Sequence, residues 1–167
     1  MPEQPPTPNP YGTPSTDGPE PLRPSQGFVN KIARTLLRTP GLSRLVGKRL
    51  LTLHVVGRKS GKTYDVPVAY TEHDGILLIG TALRPWVKNL RGAAPVTASL
   101  GGSPRTFDPV VYTDEDDVLR LYAIVAADNH YNAKLNGIGF GPDGTPNKAD
   151  IYQTWQQGGV VIALTPH

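Results

Sequence analysis

The chain predicts a mainly β domain, a small antiparallel barrel of about six strands with helices at its periphery. Three observations lead there. Short β-rich runs recur from Leu50 onward. Turn signals at His73-Asp74-Gly75 and Gly101-Gly102 separate consecutive runs and imply hairpins, hence antiparallel pairing. Helical runs are fewer than strands and stand between or outside the hairpins.

The elements follow in order. Residues 1–25 carry nine of the 18 prolines and one aliphatic side chain larger than Ala, Leu22. Such a segment buries too little apolar surface to offset its ordering entropy. It is expected to be a disordered arm dispensable for folding, with the domain spanning 26–167. In residues 27–49, Phe28, Ile32, Leu36 and Leu37 recur at helical spacing, with Lys31, Arg34 and Arg38 facing away. Pro40-Gly41 ends that helix. It is expected to cap the barrel; weak contact with an anionic membrane surface is the alternative. Leu50 to Val56 is the first strand. Asp65 to Glu72 is the second, with Val66, Val68 and Tyr70 on one face. The hairpin at Asp74-Gly75 leads into Ile76 to Gly80. Pro85 to Leu90 suits a short helix with Pro in its first turn. Pro95 to Leu100 and Arg105 to Tyr112 make the second hairpin. Thr113 followed by Asp114, Glu115 and Asp116 signals a helix start, with Thr113 as the cap, and that helix runs to about Ala127. Residues 129–147 read as a Gly/Asn-rich loop. Lys148 to Gln157 is helical, Gly158-Gly159 stops it, and Val160 to Leu164 is the closing strand.

Composition narrows the chemistry. No cysteine is present, which excludes disulfides, thiolate metal sites and thiol catalysis. The histidines, His54, His73, His130 and His167, have no metal-ligand spacing, so no metal is expected. No apolar run approaches a membrane span, and the N-terminus lacks the pattern of a secretory signal, so a cytoplasmic protein is expected. Between Pro21 and Tyr64 there are ten of the 17 Lys and Arg and no acid. This is either a solvated basic face or the footprint of an anionic partner. Interleaved aromatics for base stacking are missing, so nucleic acid is not the expected partner. Asp114 to Asp117 point around a helix start and read as a solvated cap.

The strongest local signal is Gly57-Arg58-Lys59-Ser60-Gly61-Lys62-Thr63. It is not a P-loop: three residues rather than four separate its glycines, and a strand containing Pro67 follows where a helix is required. A loop between two strands still projects from one barrel end. Its glycines permit tight turns, Arg58 and Lys59 add positive charge, and Ser60 adds a hydroxyl. The segment is either an anion site or a basic turn with nothing bound.

Taken together, the strand, Gly57 to Gly61, the next strand, the Asp74-Gly75 hairpin, Trp86-Val87-Lys88-Asn89-Leu90 and the strand from Pro95 resemble the deazaflavin-dependent nitroreductase family. That family belongs to the pyridoxine-oxidase-like split barrels, and the resemblance covers roughly residues 45–165. It implies a split β-barrel whose loop residues Arg58, Lys59, Ser60 and Gly61 hold the phosphate and glutamate tail of coenzyme F420. It implies that Trp86, Asn89 and Leu90 line the cofactor cleft and that Pro67 lies beside the deazaflavin ring. Tyr64 stands where family members often carry a basic residue, and Ala69 where a substrate-side tyrosine is common.

The implied function is hydride transfer from a reduced deazaflavin to a small acceptor such as a quinone or nitro compound. Flavin mononucleotide (FMN) in the same cleft is the alternative enzyme, and a non-enzymatic module binding a cofactor, haem or lipid is the other. His130 and Tyr131 are candidate proton donors. Trp86 is either a stacking partner or a core anchor. No order or spacing of Ser, His and Asp compels hydrolysis, and the sequence assigns no oligomeric state.

Overall fold

A computed structural model of the chain describes residues 8–19, 50–90 and 94–167. The helix expected within 27–49 lies outside them. The strands are β1 (Leu50–Val56), β2 (Thr63–Ala69), β3 (Thr71–His73), β4 (Ile76–Ala82), β5 (Val96–Leu100), β6 (Ser103–Tyr112) and β7 (Gly159–Pro166). They form one antiparallel sheet in the order β2-β1-β5-β6-β7-β4-β3. The strand expected over Asp65 to Glu72 is in fact two strands, so there are seven rather than six. Tyr70 alone separates β2 from β3, yet these strands are the two opposite edges. A flat sheet cannot satisfy that connection, so the sheet curls until its edges approach, giving a half-barrel.

Alternation sets the inner face. Leu51, Leu53 and Val55 of β1 point inward and meet Ala98, Phe107, Ile79, Ile162 and Leu164 in the barrel core. Val66, Val68 and Tyr70 pack against that core, as their shared face predicted. The hairpin turns sit where expected: Asp74 and Gly75 have φ of 51° and 77°, and Gly101 and Gly102 have 57° and 83°.

Four helices are described: α1 (Pro85–Lys88), α2 (Glu115–Asp128), α3 (His130–Leu135) and α4 (Lys148–Gln156). Helices α2 and α4 cover the outer face of β4 and β7, where Leu78, Val161 and Ala163 join Val118, Tyr122, Val125 and Ile151 in a second core. The Tyr122 ring lies on Gly80, where a Cβ would stand 2.9 Å from the ring. The Tyr122 hydroxyl donates toward Thr81 O at 3.0 Å and Asn136 Oδ1 at 3.1 Å, and burial pushes its ionisation well above the ordinary value.

Three sequence expectations need correction. Asp114, not Thr113, caps α2, accepting from Asp117 N at 3.2 Å; the Thr113 carbonyl instead receives the Trp155 indole N–H at 2.9 Å. Residues 129–147 are not all loop, because Asn129 caps α3 by accepting from Asn132 N at 3.0 Å. Asparagine there marks a helix start rather than irregular chain.

The third correction concerns the arm. Residues 8–19 dock on α4 and the chain before it. Asp150, in the first turn of α4, is fully buried. Its carboxylate accepts from Ser15 N at 2.6 Å, Thr16 N at 3.3 Å, Gly139 N at 2.9 Å and the Ser15 hydroxyl. Thr16 donates its hydroxyl to Gly137 O, and Asn9 Nδ2 donates to Ala149 O at 2.8 Å. Tyr11 meets Tyr152 edge-on at 5.6 Å and lies under the Lys148 ammonium at 4.3 Å. Polar bonds to a buried carboxylate hold this segment, and a count of its apolar residues does not register them.

Candidate functional site

The glycine loop is built from its own backbone. Gly57 N donates to Lys62 O at 2.8 Å, and Gly61 N donates to Gly57 O at 2.9 Å. A Cβ at Gly57 would stand 2.7 Å from Ser60 Oγ and 3.0 Å from the Tyr64 ring, so a larger residue there would displace the side chains that brace the turn. Gly61 sits at φ +67°. The Ser60 hydroxyl accepts from Lys62 N at 3.2 Å and lies 3.3 Å from the Tyr64 hydroxyl, so it braces the turn. The amides of Lys59 and Ser60 have no hydrogen-bond partner among the described residues. Arg58, Lys59 and Lys62 have exposed side chains. The tip is therefore cationic, with open N–H groups.

Helix α1 faces this loop. Pro85 starts it, and Val87 and Leu90 sink into the barrel core, which fixes its rotation. Asn89, the residue that ends it, accepts from Arg58 N at 3.3 Å. This bond joins two segments 31 residues apart in sequence. Between them runs an open groove of about 1010 Å³, lined by Arg58, Gly61, Asn89, Leu90, His54 and Thr97 among others.

Arg58, Gly61, Asn89 and Leu90 line this one groove, and Lys59 and Ser60 are on the same loop. Trp86 instead packs against the barrel core and is not among the groove's lining residues. Pro67 lies opposite Thr52 in the β1–β2 ladder, four residues beyond the loop's end at Thr63. His130 is exposed, its ring 4.3 Å from that of Phe140 in the helix layer, and it does not line the groove. The side chain of Tyr131 lies outside the described residues.

Sequence reasoning passed over His54, Asp65 and Ser99, which the structure joins. His54 Nδ1 lies 2.7 Å from Asp65 Oδ1, and its Nε2 lies 2.8 Å from Ser99 Oγ. A hairpin closing at Gly57–Lys62 already places Asp65 across from His54, a signal available in the sequence. Ser99 arrives through the β1–β5 pairing, which no local turn announces.

No protein-family model matches the chain, and no curated protein matches it. Solved structures similar to it include F420-dependent reductases. One, an F420-H2-dependent reductase, is 16% identical with a TM-score of 0.44; the match covers 70% of this chain and 94% of that one. A pyridoxamine 5'-phosphate oxidase-related, FMN-binding protein from Nostoc punctiforme is 14% identical with a TM-score of 0.48, covering 87% of this chain and 81% of that one. A protein of unknown function from Agrobacterium tumefaciens is 16% identical with a TM-score of 0.49. That match covers 78% of this chain but 56% of the other.

No helix among the described residues is long and apolar enough to cross a membrane. No cluster of three or more His, Asp or Glu able to hold a metal occurs among them.

Proposed function

We propose that the groove binds the anionic tail of a deazaflavin and that the protein is an oxidoreductase, passing hydride to a small acceptor such as a quinone or nitro compound. The observation that carries this reading is the Arg58–Asn89 bond. It sets the cationic glycine loop against the helix bearing Trp86 to Leu90, across one groove. These are the two motifs on which the family resemblance chiefly rests.

The residues present suit the group. The open amides of Lys59 and Ser60 and the Arg58 and Lys59 side chains match phosphate and carboxylate oxygens. Leu90 and Val96 supply apolar lining, and Thr97 and Asn89 supply polar edges. A bound reduced deazaflavin supplies the hydride. The chain's own part is to hold the tail, fix its register along the groove and exclude water at the Leu90 end.

Titration of the full chain with F420 and with FMN, followed by fluorescence, tests this. Arg58→Ala and Lys59→Ala are each expected to weaken F420 binding by about tenfold or more, with the loss shrinking at high salt. Equal F420 affinity in the unmodified chain and the double variant at low salt would sink the tail assignment. Much tighter binding of FMN would keep the anion site and change the cofactor. Binding of neither would return the protein to the non-enzymatic reading.

A further inference from the structure

The outward face of β1, β2 and β5 carries a constellation that the redox reading does not use. Asp65 stands directly across from His54 in the β1–β2 ladder, and Ser99 reaches His54 from β5 on the other side. An ionised carboxylate can only accept a hydrogen bond, so Nδ1 carries the imidazole proton and donates it to Asp65. In the neutral imidazole the Nε2 lone pair is then left to accept from the Ser99 hydroxyl. Carboxylate, imidazole and hydroxyl stand in sequence at 2.7 and 2.8 Å, the relation of orienting group, base and nucleophile. β1 lies between β2 and β5, so two ladders fix the three backbones. His54 is 29% exposed and lines the groove, so a substrate reaches the imidazole from there, with Ser99 half-buried beside it.

We infer that Ser99 is an activated nucleophile that accepts the acyl group of small activated carboxylic esters. Ser99 Oγ attacks the ester carbonyl carbon while its proton passes to His54 Nε2. The carbonyl then re-forms, the bond to the leaving oxygen breaks, and His54 gives up its proton, to that oxygen where the oxygen is basic and to solvent where it leaves as a stable anion such as p-nitrophenolate. Water next attacks the acyl-serine, giving its proton to His54, and that proton goes back to Ser99 Oγ as the carboxylic acid departs. Asp65 keeps the imidazole in the tautomer that can receive a proton.

The surroundings also set the speed. Strand β5 is paired on both sides, with β1 and β6, so its main chain forms no oxyanion hole. Thr52 lies across from Ser99, and Thr97 across from His54, on the same face. One missing oxyanion donor costs about 10²–10³ in rate. Turnover is therefore slow, and the acyl-serine accumulates when the leaving group is good.

The test mixes the full chain with p-nitrophenyl acetate, follows p-nitrophenolate release and maps the acetylated peptide by mass spectrometry. A burst of up to one equivalent and an acetyl group on Ser99 are expected. His54→Ala and His54→Gln should slow acetylation by about 10²-fold or more. Asp65→Asn should slow it less, since Asp65 is 68% exposed. Ser99→Ala should remove the burst. Acetylation of lysines alone, or of Ser99 at an unchanged rate in both His54 variants, would overturn the inference. Mapping the unmodified chain decides the point even where a variant folds poorly. No cofactor enters the experiment, so its failure leaves the redox reading untouched, and the converse holds.

Discussion

The two ends of the sheet order are built differently. On β7 and β4 both faces are apolar: Val160, Ile162 and Leu164 fill the barrel while Val161 and Ala163 lie under α2 and α4. On β1 the alternation is strict, with Leu51, Leu53 and Val55 inside and Thr52, His54 and Val56 outside. A strand covered on both faces reads as a continuous hydrophobic run, and one covered on a single face alternates. The first wall stores stability. The second holds its place through the inner face alone, which frees its outer face and its loop end for polar groups. The cationic loop, the groove and the Asp65–His54–Ser99 trio all belong to this second wall.

The contrast can be broken most directly at Tyr122, whose ring fills the space above Gly80. Tyr122→Ala is expected to destabilise by about 3–5 kcal/mol, whereas Thr52→Ala on the other wall should stay within about 0.5 kcal/mol. Urea unfolding of both variants measures the difference. Comparable losses would mean that the walls share the load.

Next in size is the N-terminal segment. Removing residues 1–19 leaves Gly139 N as the remaining donor to Asp150 among those described. We expect a loss of about 1–3 kcal/mol, because a buried acceptor is left short of partners. A thermal midpoint unchanged by the truncation would show that the strap rides on the helix layer without supporting it. Asp150→Asn in the full chain sharpens the point, since it keeps the shape and removes the charge.

The smallest effect concerns pH. The bond from Asp117 N holds the Asp114 carboxyl below its ordinary value of 3.8. A depressed carboxylate contributes stability that is complete above its unfolded value and is lost as pH falls through the lower folded value. The stability gap between the unmodified chain and Asp114→Ala should therefore stay constant from neutral pH down to about pH 5 and close in stronger acid. A gap that persists at pH 2 would assign the effect to helix propensity instead of the cap.

Much of the fold was legible in the sequence because hairpins are local devices. Asp74-Gly75 and Gly101-Gly102 fix registers by themselves, and β7 is announced by its apolar run. The loop and the α1 segment were legible as motifs. Their contact was not, since Arg58 N meets Asn89 only after the chain has passed through β2, β3 and β4. Tyr70 gave no sign of dividing a strand, because its apolar ring continues the alternation of Val66 and Val68. The strap was missed because one buried carboxylate anchors it, and Asp150 looks in sequence like any first-turn acid. Ser99 is an ordinary strand residue until β5 pairs with β1.

The one-residue link at Tyr70 has a mechanical consequence. Ala69 and Thr71 can separate by at most about 7 Å, even with the chain between them fully drawn out. The seam of the half-barrel is thus hinged at that corner, like a book bound at a single point. Any breathing of β2 away from the opposite edge must widen with distance from Tyr70. It is greatest at Thr63, beside the glycine loop, so the mouth of the groove is also the side on which the barrel can gape.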